Sequence, residues 1–201
     1  MIELKFKKKL GNFNLDSELK DEKFICLTGR NGSGKSTLLN IMAGVYRPDE
    51  GYIKINSVPV TDIPAEKRQI VLITPDSCLP NFSVEKHLVW GAKLRKKKVG
   101  QDVISEIRKS FGINYDGKVS KLSLGMKERV SLATALLAEP KVILIDEAFG
   151  NLDNRTEFIN SYREFASRSM IDVVFSTQHT EDSKSADHLY QIDRGQATRV
   201  F

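Results

Sequence analysis

Apolar and polar residues alternate along Ile2-Glu3-Leu4-Lys5-Phe6 and again along Phe13-Asn14-Leu15, the period of strands buried on one face. Leu10-Gly11-Asn12 lies between them, so an antiparallel hairpin layer is predicted at the N-terminus. The pattern then changes. Phe24-Ile25-Cys26-Leu27, Ile70-Val71-Leu72-Ile73, Val142-Ile143-Leu144-Ile145 and Val173-Val174-Phe175 are unbroken apolar runs, as strands covered on both faces require. Helical periods separate them, which predicts an α/β fold with a mostly parallel sheet flanked by helices. Between Phe82 and Leu122 the period is helical throughout. Val84, Leu88 and Val89 share one face, and Val103, Ile104, Ile107 and Phe111 another, with Asp102 expected to cap the second helix and Gly112 to end it. The segment 82–122 is therefore expected as a helical insert within a single domain covering 1–201.

Composition narrows the class. With 201 residues, 40% of them hydrophobic, the chain can bury one good core. No apolar run approaches the roughly 20 residues of a membrane-spanning helix, and the charged start Met1-Ile2-Glu3-Leu4-Lys5 does not read as a signal peptide. A cytoplasmic domain is expected, reaching a membrane only through a partner. Cys26 and Cys78 lack metal-ligand spacing and suit a reducing compartment. The formal charge of +5 is concentrated in Lys7-Lys8-Lys9 and Arg95-Lys96-Lys97-Lys98. Neither run is interleaved with aromatics, so nucleic acid is not expected as a partner. Such runs are by default solvated faces, and anionic lipid headgroups are the functional option for 95–98.

The chemistry sits behind the first buried run. Gly29-Arg30-Asn31-Gly32-Ser33-Gly34-Lys35-Ser36-Thr37 follows that strand directly and opens a helix. The glycines let backbone N–H groups turn inward onto phosphate oxygens, Lys35 reaches the β and γ phosphates, and Ser36 offers its hydroxyl to Mg²⁺. The positive end of the helix adds to the cradle. A second apolar strand ends in Asp146-Glu147. Asp146 suits the Mg²⁺ shell, and Glu147, one residue further out, suits a base that polarises water towards the γ phosphate.

The segment Leu122-Ser123-Leu124-Gly125-Met126 opens another helix, with Ser123 as its cap, just before that strand. Here the chain resembles the ATP-binding cassette (ABC) ATPases, whose signature is Leu-Ser-Gly-Gly-Gln; Ser123 and Gly125 are kept, and Leu124 and Met126 depart from it. Asn151-Leu152-Asp153 matches the family's D-loop, and His179, in Ser176-Thr177-Gln178-His179, matches its switch histidine. One motif is missing. Where the family carries a glutamine after a strand, this chain has Thr74-Pro75-Asp76, and Gln69 comes too early.

The resemblance implies an enzyme that binds ATP and Mg²⁺ and hydrolyses ATP at the interface of a homodimer or heterodimer. Ser123 and Gly125 of one copy would complete the site built on the other's cradle, with Glu147 and His179 as the catalytic pair. It also implies a transmembrane permease subunit gripped by the helical insert, at the inner face of the membrane. Leu10 or Phe13 would stack on adenine. Leu10-Gly11-Asn12-Phe13-Asn14-Leu15 and Pro64-Ala65-Glu66-Lys67-Arg68 are similar to ATPases of molybdate, tungstate and related importers, whereas the signature variant is similar to small exporters. Soluble relatives that serve iron–sulfur assembly share the catalytic core. DNA-repair relatives need a long coiled coil, for which too few residues separate Lys35 from Ser123.

Overall fold

The computed structural model describes residues 1–201. The hairpin forms and is longer than the sequence pattern suggests. Strands β1 (Ile2–Leu10) and β2 (Phe13–Asp21) pair antiparallel, with Leu10 opposite Phe13, so only Gly11 and Asn12 make the turn. Strands β4 (Glu50–Ile55) and β5 (Val58–Pro59) extend this layer in the order β2-β1-β4-β5. Its basic residues are largely paired: Lys8 lies 2.6 Å from Asp49 and Lys7 3.8 Å from Glu50. A solvated, neutralised face results, as expected for Lys7-Lys8-Lys9.

The second sheet is built from β3 (Phe24–Thr28), β6 (Ile70–Ile73), β7 (Val142–Asp146), β8 (Asp172–Ser176), β9 (His188–Asp193) and β10 (Gln196–Arg199), in the order β10-β9-β3-β8-β7-β6. All neighbours run parallel except β9 and β10. The unbroken apolar runs are explained by two covered faces. Ile25, Leu27, Val142, Leu144 and Val174 join a core with the antiparallel layer and helix α1 (Lys35–Ala43). Their alternates Phe24, Cys26, Ile143, Ile145, Val173 and Phe175 face the opposite core, shared with α4 (Leu124–Leu137) and α5 (Arg155–Arg168). Burial pushes the Cys26 thiol up to about 12, so it behaves as a small apolar side chain.

Helix α1 ends at Gly44 (φ 87°), and the buried Arg68 guanidinium closes over it. Arg68 donates to the carbonyls of Ile41 and Met42, both at 3.1 Å, and to those of Ile63 and Thr61, both at 2.8 Å. A cation thus satisfies the orphan acceptors at the negative end of the helix.

The segment 82–122 holds α2 (Val84–Leu94) and α3 (Gln101–Ser110). Two expectations fail there. Gly100 is the N-cap of α3, and Asp102 lies inside its first turn, where a carboxylate still favours the positive helix end. Val103 is 40% exposed. The buried stripe is Ile104, Ile107 and Phe111, spaced three and four apart, and Val103 falls at its rim. Gly112 follows the helix in the left-handed region (φ 64°), as expected of a terminating glycine.

Candidate nucleotide-phosphate site

The loop between β3 and α1 turns sharply, and its glycines are forced by neighbours. A Cβ on Gly29 would lie 2.2 Å from the carbonyl oxygen of Ile192, and one on Gly34 (φ 111°) 2.8 Å from the Phe13 ring. Gly34 is also the N-cap of α1, so the helix begins at Lys35 with its free N–H groups on the loop. Asn31, Gly32, Ser33, Gly34, Lys35, Ser36 and Thr37 line one cavity of about 680 Å³, together with Asp146 and Glu147 from the end of β7. Residues distant in sequence but alike in expected chemistry therefore meet. Gly29 and Arg30 stand behind the cavity wall, where their carbonyls accept from the Lys35 ammonium at 2.9 and 3.3 Å.

The electrostatics suit an anion. Lys35 is buried to 4% exposure, its Nζ 3.8 Å from Glu147 Oε1. The Ser33 hydroxyl is buried within the same loop and has no hydrogen-bond partner, a donor for a phosphate oxygen. Ser36 and Asp146 offer the hard oxygen donors that Mg²⁺ takes when a substrate phosphate and water fill its remaining positions.

Ser176, at the end of β8 and opposite Asp146, ties the Asp146 carboxylate to the backbone of Glu147. Its Oγ accepts the Glu147 N–H at 3.1 Å and donates to Asp146 Oδ1 at 2.7 Å. Glu147 is thereby held in the left-handed region (φ 57°), which few non-glycine residues occupy outside functional turns. Sequence reading passed over Ser176, because its role depends on a neighbouring strand 30 residues away.

The loop after β6 stands where the family carries its glutamine. Of Thr74, Pro75 and Asp76, it is Pro75 that lines the phosphate cavity. Thr74 turns back to Ser77, with Oγ–Oγ 3.0 Å, while Asp76 lines a separate groove. Three bonds hold the loop so: Thr74 N–H to Ser77 Oγ at 2.9 Å, Ser131 Oγ to the Ser77 carbonyl at 2.6 Å, and Leu79 N–H to His87 Nε2 at 3.1 Å. Neither Thr74 nor Asp76 lines the cavity that holds Ser36 and Asp146.

His179 stands apart from the cavity lining. Its side chain is exposed and does not line the cavity; Gln178 does, and donates from Nε2 to Glu147 Oε1 at 3.0 Å. Leu10 and Phe13 both stand at the cavity's lip, Phe13 resting on Gly34.

Ser123 and Gly125 lie outside the cavity, at the start of α4. Ser123 caps the helix by accepting from Met126 N–H at 3.3 Å, and it is exposed. Gly125 is tight against the loop after β7: a Cβ there would sit 2.7 Å from the Asn151 carbonyl. Asn151 also donates to the buried Glu128 at 2.8 Å. Burial raises the Glu128 carboxyl above its ordinary value, the Asn151 hydrogen bond opposing this, and its second oxygen has no partner.

These features define a P-loop nucleotide site on an α/β sheet. The ABC transporter family matches residues 13–150, and the chain belongs to it. Among its relatives, the molybdate/tungstate import ATP-binding protein WtpC of Pyrococcus abyssi is 42% identical over 154 residues, covering 74% of this chain and 44% of that protein. The molybdenum import ATP-binding protein ModC of Vibrio parahaemolyticus is 32% identical over 98% of this chain and 56% of its own length. The chain thus spans about half the length of these two relatives. In fold it is similar to an ATP-binding subunit of an ABC transporter (TM-score 0.81, 23% identity, 99% of this chain and 89% of that one). It is also similar to a dimeric post-hydrolysis ATP-binding cassette bound to ADP and Pi (TM-score 0.80, 21% identity, 99% and 97%).

Proposed function

We propose that the chain is the ATP-hydrolysing subunit of an ABC importer, working as a nucleotide-sandwich dimer that drives a membrane permease. The observation that carries this reading is the meeting of Lys35, Ser36, Asp146 and Glu147 in one phosphate-sized cavity. Lys35 and the loop N–H groups bind and orient the β and γ phosphates of ATP. Ser36 and Asp146 hold Mg²⁺, which when bound offsets charge on those phosphates. Glu147 takes a proton from the attacking water as the water oxygen bonds to the γ phosphorus and the bond to ADP breaks. The exposed Ser123 and the half-buried Gly125, both away from the cavity of their own chain, serve the nucleotide of a second copy through the positive end of α4.

The permease has a candidate seat. A groove of about 990 Å³ runs between β6, the 76–79 loop, α2 and α4, with the half-exposed Trp90 and Leu94 on its wall and Arg95 and Lys97 at its rim. Docking there places the chain at the cytoplasmic face of a membrane; no helix of its own is long and apolar enough to cross one. The cargo we propose, from the likeness to the molybdate and tungstate importers, is an oxyanion of that kind.

Calorimetry with Mg-ATP tests the site. Micromolar binding is expected in the wild type and its loss in Lys35→Ala, where the charge facing the β and γ phosphates is gone. Equal affinity in both proteins overturns the cradle assignment. In liposomes carrying the permease, oxyanion-loaded binding protein is expected to raise ATP turnover; turnover indifferent to every oxyanion overturns the cargo assignment alone.

A further inference from the structure

We infer that Gln178, and not His179, positions the catalytic carboxylate of this site. Its amide fixes one oxygen of Glu147 so that the other is presented to the attacking water. The inference rests on the reading of the chain as an ATPase and adds to it a residue that the sequence pattern assigns elsewhere.

Three observations carry it. Glu147 Oε1 is engaged twice, by the Gln178 amide at 3.0 Å and by the Lys35 ammonium at 3.8 Å. Oε2 is therefore the oxygen with lone pairs to spare. His179 is extended (φ −96°, ψ 114°), and successive side chains of extended backbone point to opposite sides. With 178 turned into the cavity, 179 turns out of it.

The backbone leading into this pair is fixed, so the choice is not a matter of rotamers. Thr177 N–H donates to the Leu27 carbonyl at 3.1 Å. Thr177 Oγ1 donates to Asp182 Oδ2 at 2.6 Å, and Arg155 grips the other oxygen of Asp182 at 2.7 Å. The His179 N–H bonds Thr177 Oγ1 at 3.0 Å, and its ring bonds nothing.

The chemistry differs from that of an imidazole. An amide does not titrate, and its carbonyl remains an acceptor while its N–H is donated. Gln178 can thus hold Glu147 through Nε2 and receive a hydrogen bond from the attacking water through its own oxygen. Pro75, which lines the same cavity, has no side-chain donor or acceptor and supplies neither. In the step itself the water oxygen bonds to the γ phosphorus, the bond to the β–γ bridging oxygen breaks and ADP departs. The water's proton passes to Glu147 Oε2 and leaves with the phosphate. Gln178 exchanges no proton.

The test is the Mg-ATPase rate of the full chain from pH 5.5 to 8.5, with ATP affinity measured in parallel by calorimetry. Gln178→Ala is expected to lower kcat by about 10- to 100-fold, since misplacement of a reacting group by 1 Å costs as much, while ATP affinity is kept. His179→Ala is expected to leave kcat and the pH profile as in the wild type. The wild type should show no acid limb near the ordinary imidazole value of about 6.5, and Gln178→His should recover turnover and acquire that limb. Loss of turnover in His179→Ala with Gln178→Ala spared overturns the inference, as does a wild-type acid limb that His179→Ala removes. Loss of ATP affinity in Gln178→Ala also overturns it, by making the amide a nucleotide contact. A wild-type chain that binds no Mg-ATP instead overturns the ATPase reading beneath it.

Discussion

Glu128 is a carboxylate in an apolar core, and single atoms decide what it does. One oxygen accepts from Asn151 and the other has no partner, so burial favours the neutral acid. A carboxyl raised in the fold contributes stability that is fully present below its ordinary pKa and is lost as pH rises through the raised value. Glu128→Gln keeps the Asn151 contact and removes the charge. The variant is expected to be more stable than the wild type by about 1 kcal/mol at pH 7, because there the wild-type carboxylate must be charged against burial, with the gap closing towards pH 4. Urea midpoints at the two pH values measure it; a gap that widens in acid contradicts the assignment. At this scale the sequence was legible wherever chemistry is local. Lys35, Ser36, Asp146 and Glu147 each follow from a short motif. Ser176 and Gln178 were not, because their work depends on hydrogen bonds to Asp146 and Glu147 across 30 or so residues.

Elements were legible in type and less so at their ends. The apolar runs gave β3, β6, β7 and β8 because both of their faces are buried, whereas the start of α3 was misplaced because Asp102 and Gly100 are both reasonable cap residues. Periodicity is also silent on what lies across from an element. Arg68 sits in a segment read only as a likeness to importers, yet it closes the end of α1 with two hydrogen bonds and ties it to Thr61 and Ile63 with two more. Arg68→Ala is expected to cost about 2–4 kcal/mol, as bonds from a charged donor are each worth roughly 1.5–3 kcal/mol before solvent replaces some of them. Because α1 carries Lys35 and Ser36, ATP affinity should fall as well. A thermal melt unchanged in Arg68→Ala contradicts that role. Gly125→Ala tests the other helix start: its Cβ would press 2.7 Å from the Asn151 carbonyl and push the loop after β7 off α4. An expected loss of about 1–3 kcal/mol should be visible in the same melts.

For the whole molecule the question is whether one chain holds a complete site. Ser123 and Gly125 are at the exposed start of α4 and take no part in the cavity that holds Lys35 and Glu147. In the proposed sandwich dimer, a nucleotide cradled by one chain leaves its outer face to another, and two copies head to tail would bury two such faces by one symmetry operation. In that dimer, association would depend on the γ phosphate, with ATP joining the copies and hydrolysis releasing them. Glu147→Gln keeps the shape of the site and removes the base, so ATP should stay bound and unhydrolysed. Size-exclusion chromatography in Mg-ATP is expected to show a stable dimer for Glu147→Gln and a monomer for the wild type once its ATP is spent. Adding Ser123→Arg, which sets a bulky cation at the start of α4 where it opposes the helix dipole, should return the variant to a monomer with ATP affinity weakened but still measurable. If Glu147→Gln elutes as a monomer while saturated with Mg-ATP, the nucleotide does not bridge two chains and the sandwich arrangement falls.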